Sequence, residues 1–340
     1  MSEDTDELHP RITTAWFGHA EAERALLQAY QTGRIAHAWL IGGPPGIGKA
    51  TLAYRMARFV LANPDPTTAA VQSAQDLSVP ADHPASRRIA GEAHPNLLVL
   101  ERTLNDKGKM RTEIAVDDVR KSVSFFGSTA GEGGWRIAII DTVDDLNRSS
   151  ANSLLKVLEE PPDRSLLLLL SESGGRVLPT IRSRTRRLLL RPLDAETVAQ
   201  AVANAAGRPA NDPEIWAAAQ ASDGSVARAL DLLDSDALAL RQTVVDLLAR
   251  LPNTDPRALH ALGDALGGSE PKTLAVFLDL VNQWLSDRLA HDKTDGGKAA
   301  RTADAFAAIN QAAGEADAYN LERKPLVFKI FGLLAETARG

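Results

Sequence analysis

The chain has 340 residues, 44% of them hydrophobic and 24% charged, with a formal net charge of −6 and no cysteine at all. That length calls for two or three domains with real cores, and that composition excludes a disordered or fibrous chain. The missing thiols exclude disulfides, thiolate metal sites and cysteine nucleophiles, and they fit a reducing cytoplasm.

Residues 1–10 are acidic and polar, without the basic and then apolar stretches of a signal peptide, and no apolar run approaches the roughly 20 residues that cross a bilayer. No membrane partner is expected. The first helix reads over residues 21–30 and the first strand over 38–41, followed by a glycine-rich turn at 43–50 and a helix over 51–61. From 63 to 93 the periodicity fades, and Pro64, Pro66, Pro80 and Pro84 break any long element, so this segment reads as an excursion from the sheet. Strands follow at 97–100, 137–140, 166–170 and 188–190, with helices at 116–126 and 147–160 and a polar, glycine-bearing loop at 127–134. The second of those helices stops at Pro161 and Pro162, because the residue before proline avoids the helical region.

The strands are unbroken apolar runs, as expected of parallel strands covered by helices on both faces. The expected fold class is therefore α/β: a parallel sheet with helices on both sides, followed by an all-α remainder. After Pro192 strands disappear and helical periodicity continues to the end, with turns at 207–213, 252–256, 267–271 and 292–297. Leu274, Phe277, Leu278, Val281, Leu285 and Leu289 form one stripe at helical spacing. With the apolar end Leu326, Val327, Ile330 and Phe331, the stripe reads as bundle core or as an assembly surface.

Gly43, Pro44, Pro45, Gly46, Ile47, Gly48, Lys49 and Ala50 match G-x-x-x-x-G-K-[ST] except at the last place. Such a loop, between a strand and a helix, aims backbone N–H groups and a helix N-terminus at phosphates while the lysine reaches their oxygens. Ala50 lacks the hydroxyl that would hold Mg²⁺. Thr51 does not replace it simply, since one step along a helix turns a side chain by about 100°. The apolar strand ending in Asp141 has the form of the acid that supports Mg²⁺ beside such a loop. The residue after it is Thr142, which has no carboxylate to orient a water, and Asp144 and Asp145 are displaced from that place. A degenerate nucleotide site is thus expected from Gly43, Gly46, Gly48, Lys49, Thr51 and Asp141, with ATP and Mg²⁺ binding weakened or lost. From 176 to 191 six arginines occur without an acid: Arg176, Arg182, Arg184, Arg186, Arg187 and Arg191.

Four segments together resemble one family. They are Phe17-Gly18-His19, His37-Ala38-Trp39 ahead of the phosphate loop, the helix ending Leu158-Glu159-Glu160-Pro161-Pro162, and Leu178-Pro179-Thr180-Ile181-Arg182-Ser183-Arg184. These are similar to the clamp-loader branch of the AAA+ proteins, part of bacterial DNA polymerase III. The resemblance implies an AAA+ core over 1–191, a helical lid over 192–234 and a collar that assembles the ring over 235–340. The implied partners are ATPase subunits of the tau/gamma kind, a delta-like subunit, the sliding clamp indirectly, and primer-template DNA.

In this family a Ser-Arg-Cys motif sends its arginine to a neighbour's nucleotide, and Ser183-Arg184-Thr185 keeps the arginine, so Arg184 is the expected catalytic residue in trans. The lid arginine position resembles Ala227, with Arg228 adjacent. Many relatives carry a four-cysteine zinc module in the excursion; this chain has no cysteine to hold one, and no metal site is expected. The losses at Ala50, Thr142 and Ala227 together imply a noncatalytic subunit. The rival readings are an autonomous AAA+ ATPase with an atypical metal site and a stand-alone nucleic-acid-binding module using the arginine segment.

Overall fold

A computed structural model of the chain describes residues 9–103, 111, 113–127, 134–233, 237–267, 271–291, 296–318 and 321–339. Most of the acidic segment 1–10, most of the loop expected at 127–134, and much of the turns expected at 267–271 and 292–297 lie outside those residues. The chain divides into two compact units, Met1–Leu230 and Asp231–Gly340.

In chain order the first unit contains α1 (Ala20–Gln31), β1 (Ala38–Gly42), α2 (Lys49–Ala62), α3 (Ala69–Ser73), α4 (Pro84–Ala90) and β2 (Leu97–Glu101). There follow α5 (Val116–Gly127), β3 (Arg136–Asp141), α6 (Arg148–Glu159), β4 (Ser165–Ser171), α7 (Pro179–Arg182) and β5 (Arg186–Leu189). Helices α8 (Ala195–Ala206), α9 (Pro213–Ala221) and α10 (Val226–Leu233) complete it, the last running past the boundary. Among the described residues the strands form one five-stranded sheet, ordered β2-β3-β4-β1-β5, with every pairing parallel.

Period-two geometry explains why the strand sequences do not alternate. Trp39, Ile41, Ile137, Ile139, Leu166, Leu168 and Leu170 enter one buried layer with α1 and α2. Their strand neighbours Ala38, Leu40, Ala138, Ile140, Leu167 and Leu169 enter another with α5 and α6. Asn147 caps α6 by accepting the Ser150 N–H at 2.9 Å, and Asp194 caps α8 by accepting the Thr197 N–H at 2.7 Å. Strand β5 has a partner only in β1, so Arg186, Arg187 and Leu189 stand exposed on the sheet's outer edge. This strand begins two residues before the expected 188–190, at the arginines themselves.

The excursion is more ordered than its prolines suggest. Pro84 opens α4 rather than breaking a helix, because a first-turn residue needs no N–H, and His83 Nδ1 accepts the Ala85 N–H at 3.2 Å. Val71, Leu77, Val79 and Ile89 are buried in the layer shared with α1 and α2. Two arginines of α2 hold the neighbouring segments. Arg55 Nε donates to Glu23 Oε1 at 2.6 Å, Nη1 to the Thr14 carbonyl at 2.8 Å and Nη2 to Ser78 Oγ at 2.7 Å, while Glu23 Oε1 also accepts the Leu77 N–H at 2.9 Å. Arg58 Nη2 donates to the Arg11 carbonyl at 2.8 Å and Nη1 to that of Thr13 at 3.3 Å.

The second unit holds α11 (Ala237–Ala249), α12 (Pro256–Gly267), α13 (Pro271–His291), α14 (Gly296–Ala318) and α15 (Arg323–Arg339) around a core of its own. Phe277, Val281 and Leu285 are buried in that core, Leu274 and Leu278 pack partly against it, and Leu289 stands exposed. Leu326, Val327, Ile330 and Phe331 are all buried there too, so the apolar end is core and adds nothing to an assembly surface. Among the described residues no helix is long and apolar enough to cross a membrane.

Candidate functional site: a closed phosphate loop and a seated arginine

The loop runs from the end of β1, between β4 and the edge strand β5, to the first residue of α2, where the carboxyl ends of parallel strands gather ligand-binding side chains. Gly46 and Gly48 take φ of 73° and 102°, backbone that other residues adopt only with strain. Lys49 does not point outward. Its Nζ donates to the loop's own carbonyls, Gly43 O at 2.8 Å and Pro44 O at 2.7 Å. Burial pulls the Lys49 pKa down, against the nearby carboxylates of Glu172, Asp141 and Asp144, which hold it up. The His19 ring, on Nε2, bonds the Ile47 carbonyl at 3.0 Å, and the Trp16 indole lies against Gly48.

The crest of the loop is covered as well. The Ala227 N–H donates to the Gly46 carbonyl at 3.2 Å, and a Cβ added at Gly46 would fall 2.2 Å from Ser225 Oγ and 2.8 Å from Ala227 Cβ. Ala227 therefore faces the loop with a methyl group. The adjacent Arg228 is engaged elsewhere, its Nη1 2.8 Å from Asp223 Oδ2.

Gly46, Gly48, Lys49, Thr51 and Asp141 line a single cavity of about 550 Å³, together with Ile12, Trp16, Phe17, Leu193, Leu230 and Glu172. Of the expected site residues Gly43 lies behind this cavity, giving Lys49 its carbonyl, and Arg184 is not among the lining residues. Asp144 does not stand in for the missing base: its carboxylate accepts the Ser171 hydroxyl at 3.2 Å and the Glu172 N–H at 2.7 Å. Asp145 pairs with Arg102 Nε at 3.1 Å. Sequence reasoning missed Glu172, an exposed carboxylate at the cavity mouth. Its signal was its position, two residues past the apolar run Leu166–Leu170, at the carboxyl end of a parallel strand.

Magnesium does not fit these residues well: Ala50 offers no hydroxyl for it, and the loop crest is covered at Gly46. Burial pushes the Asp141 carboxyl up to about 6. Lys49 works against that rise, while Glu101, Glu172 and Asp145 add to it. Because the folded chain holds this proton to higher pH than an unfolded one, stability from Asp141 is present below about pH 4 and falls as pH rises to about 6. Asp141→Asn is expected to remove that loss and stabilise the chain at neutral pH by as much as about 3 kcal/mol, with little effect near pH 4. Urea denaturation at both pH values checks this; equal gains at the two would refute it.

Arg184 lies on the turn between α7 and β5. Its Nη2 is 2.9 Å from Glu159 Oε1, and Nη1 donates to the Thr180 carbonyl at 3.1 Å and Ser183 Oγ at 3.2 Å. Elsewhere in the arginine segment, Arg182 Nη1 donates to the Gly174 carbonyl at 3.3 Å and the Arg186 guanidinium stacks 4.8 Å from the Trp39 ring centroid. Arg176, Arg187 and Arg191 are exposed.

The sheet order, the loop after β1, the lysine that opens the next helix and the acid ending β3 define a P-loop module of the AAA+ type. A model of the family described as DNA polymerase III, delta subunit, matches residues 18–194, and the chain belongs to that family. It is 37% identical over 149 residues to the DNA polymerase III subunit delta' of Pseudomonas aeruginosa, an overlap of 44% of this chain and 41% of that protein. The delta' subunit of Escherichia coli is 29% identical over 237 residues, covering 69% of this chain and 66% of the relative. The gamma/tau subunit of Mycobacterium bovis is 28% identical over 297 residues, covering 78% and 48%. The matches thus span 41% and 66% of the length of the two delta' relatives.

Proposed function

We propose that the chain is a noncatalytic, delta-prime-like subunit of a bacterial DNA polymerase III clamp loader, working in the cytoplasm. In this reading Arg184 acts in trans, as an arginine finger on the nucleotide of a neighbouring tau/gamma-type ATPase subunit. The assembly, with a delta-like subunit, places the sliding clamp on primer-template DNA; residues 192–234 serve as lid and 235–340 as the collar that joins the ring. The observation that carries this reading is the phosphate loop satisfied by its own lysine and covered at Gly46, together with an arginine held elsewhere on the surface. The sequence departures at Ala50 and Thr142 support it independently.

The purified chain is expected to hydrolyse ATP no faster than a protein-free control, and to give no heat signal with ATP and Mg²⁺ in calorimetry. Turnover well above that control would favour the autonomous ATPase instead. Salt-sensitive DNA binding by the lone chain, without its partners, would favour the nucleic-acid-binding module.

A further inference from the structure

We infer that Glu159 is a positioning residue for Arg184, holding the guanidinium ready for the phosphate oxygens of a neighbour; this rests on the finger reading above. An arginine on an exposed turn spreads over many rotamers, and ordering it costs conformational entropy each time it engages a ligand. Here that ordering is already present in the single chain. Nη1 is taken by the Thr180 carbonyl and the Ser183 hydroxyl, and Nη2 by Glu159 Oε1. Those contacts use three of the five guanidinium hydrogens and leave Nε–H and one Nη2 hydrogen for an acceptor from outside.

Glu159 is well placed for the task. It is the last residue of α6, its neighbours Val157 and Leu158 are buried, and Glu160 leads directly into Pro161 and Pro162, which end the helix. The partial negative charge at the C-terminus of α6 adds to that of the carboxylate in favouring a cation there. The side chains of the pair are 37% and 50% exposed, so the contact adds little to fold stability. Its removal leaves the fold intact and reads out on the arginine.

The test uses Glu159→Gln, Arg184→Ala and the double variant in a complex reconstituted with tau/gamma-type subunits, only the bordering ATPase site being active. Glu159→Gln is expected to lower kcat roughly threefold to fivefold, the ratio an exposed ion pair carries, with KM for ATP unchanged. In the Arg184→Ala background the same change should cost nothing further. In the isolated chain, NMR of the Arg184 Nε–H group should show an ordered side chain that becomes mobile in Glu159→Gln. Equal order in both chains, or unchanged or raised kcat while Arg184→Ala is defective, would overturn the role of Glu159 alone. Undiminished turnover with Arg184→Ala would overturn the finger reading and this inference together.

Discussion

Replacing Arg184 with alanine is expected to cut ATP turnover at the one site bordering this chain by roughly a thousandfold, about 4 kcal/mol of transition-state stabilisation. Negative charge spreads over the phosphoryl oxygens as the bond to the leaving group loosens, and a planar guanidinium meets two oxygens at once. Supplied by a neighbour, it couples turnover to assembly. Arg184→Lys should recover little of the loss, because a point charge lacks the fork. Folding and assembly should be unaffected, since the side chain is partly exposed and the partner it leaves, Glu159, is half exposed. The decisive measurement is turnover in a complex with every other ATPase site disabled; an undiminished rate would make Arg184 one member of a basic face and no more.

The largest loss of stability is expected from Arg55→Ala, about 3–5 kcal/mol. The Arg55 and Glu23 side chains are each only 8% exposed, and the pair joins four segments: α1, α2, the residues near Thr14 and the excursion at Leu77 and Ser78. Removing the guanidinium leaves a buried carboxylate with one backbone donor and frees the Thr14 carbonyl as well. The cost arises from the charge left behind, so replacing both residues, Glu23→Leu with Arg55→Leu, should restore much of the loss. Chemical denaturation of the three variants separates these cases. A loss under about 1 kcal/mol for Arg55→Ala would mean that water reaches Glu23 and that the network is dispensable.

The sheet was legible because two-sided burial leaves an unmistakable sequence pattern, and the loop because its glycines and lysine have fixed spacing between a strand and a helix. Other features depended on what the rest of the chain laid over them. Arg55 and Arg58 sit three apart on α2, a spacing that suits a solvent-facing stripe, yet residues 11–14 and the excursion cover them. The direction of the Lys49 amine depends on whether phosphate or carbonyl is nearer, which no motif encodes. Pro84 starts a helix although its sequence context suits a breaker, because proline at the first turn and proline in mid-helix look alike until the cap is seen. The apolar end near Phe331 fits bundle core and assembly surface equally in sequence, and only the packing of the second unit's helices, which bury Leu326, Val327, Ile330 and Phe331, decides for core.

The lysine that braces its own loop also changes how the usual silencing experiment must be interpreted. Mutating that lysine is the common way to disarm a phosphate-loop protein, on the premise that its ammonium meets nothing but ligand. Here Nζ ties the start of α2 to the Gly43 and Pro44 carbonyls at the start of the loop, whose crest at Gly46 accepts from Ala227. A Lys49→Met chain would lose an internal tie and leave two carbonyls without a donor, so a slower complex would report a sprung loop, not a vanished nucleotide. The sound negative control for this chain is therefore a lesion in the neighbour's lysine, leaving Lys49 untouched.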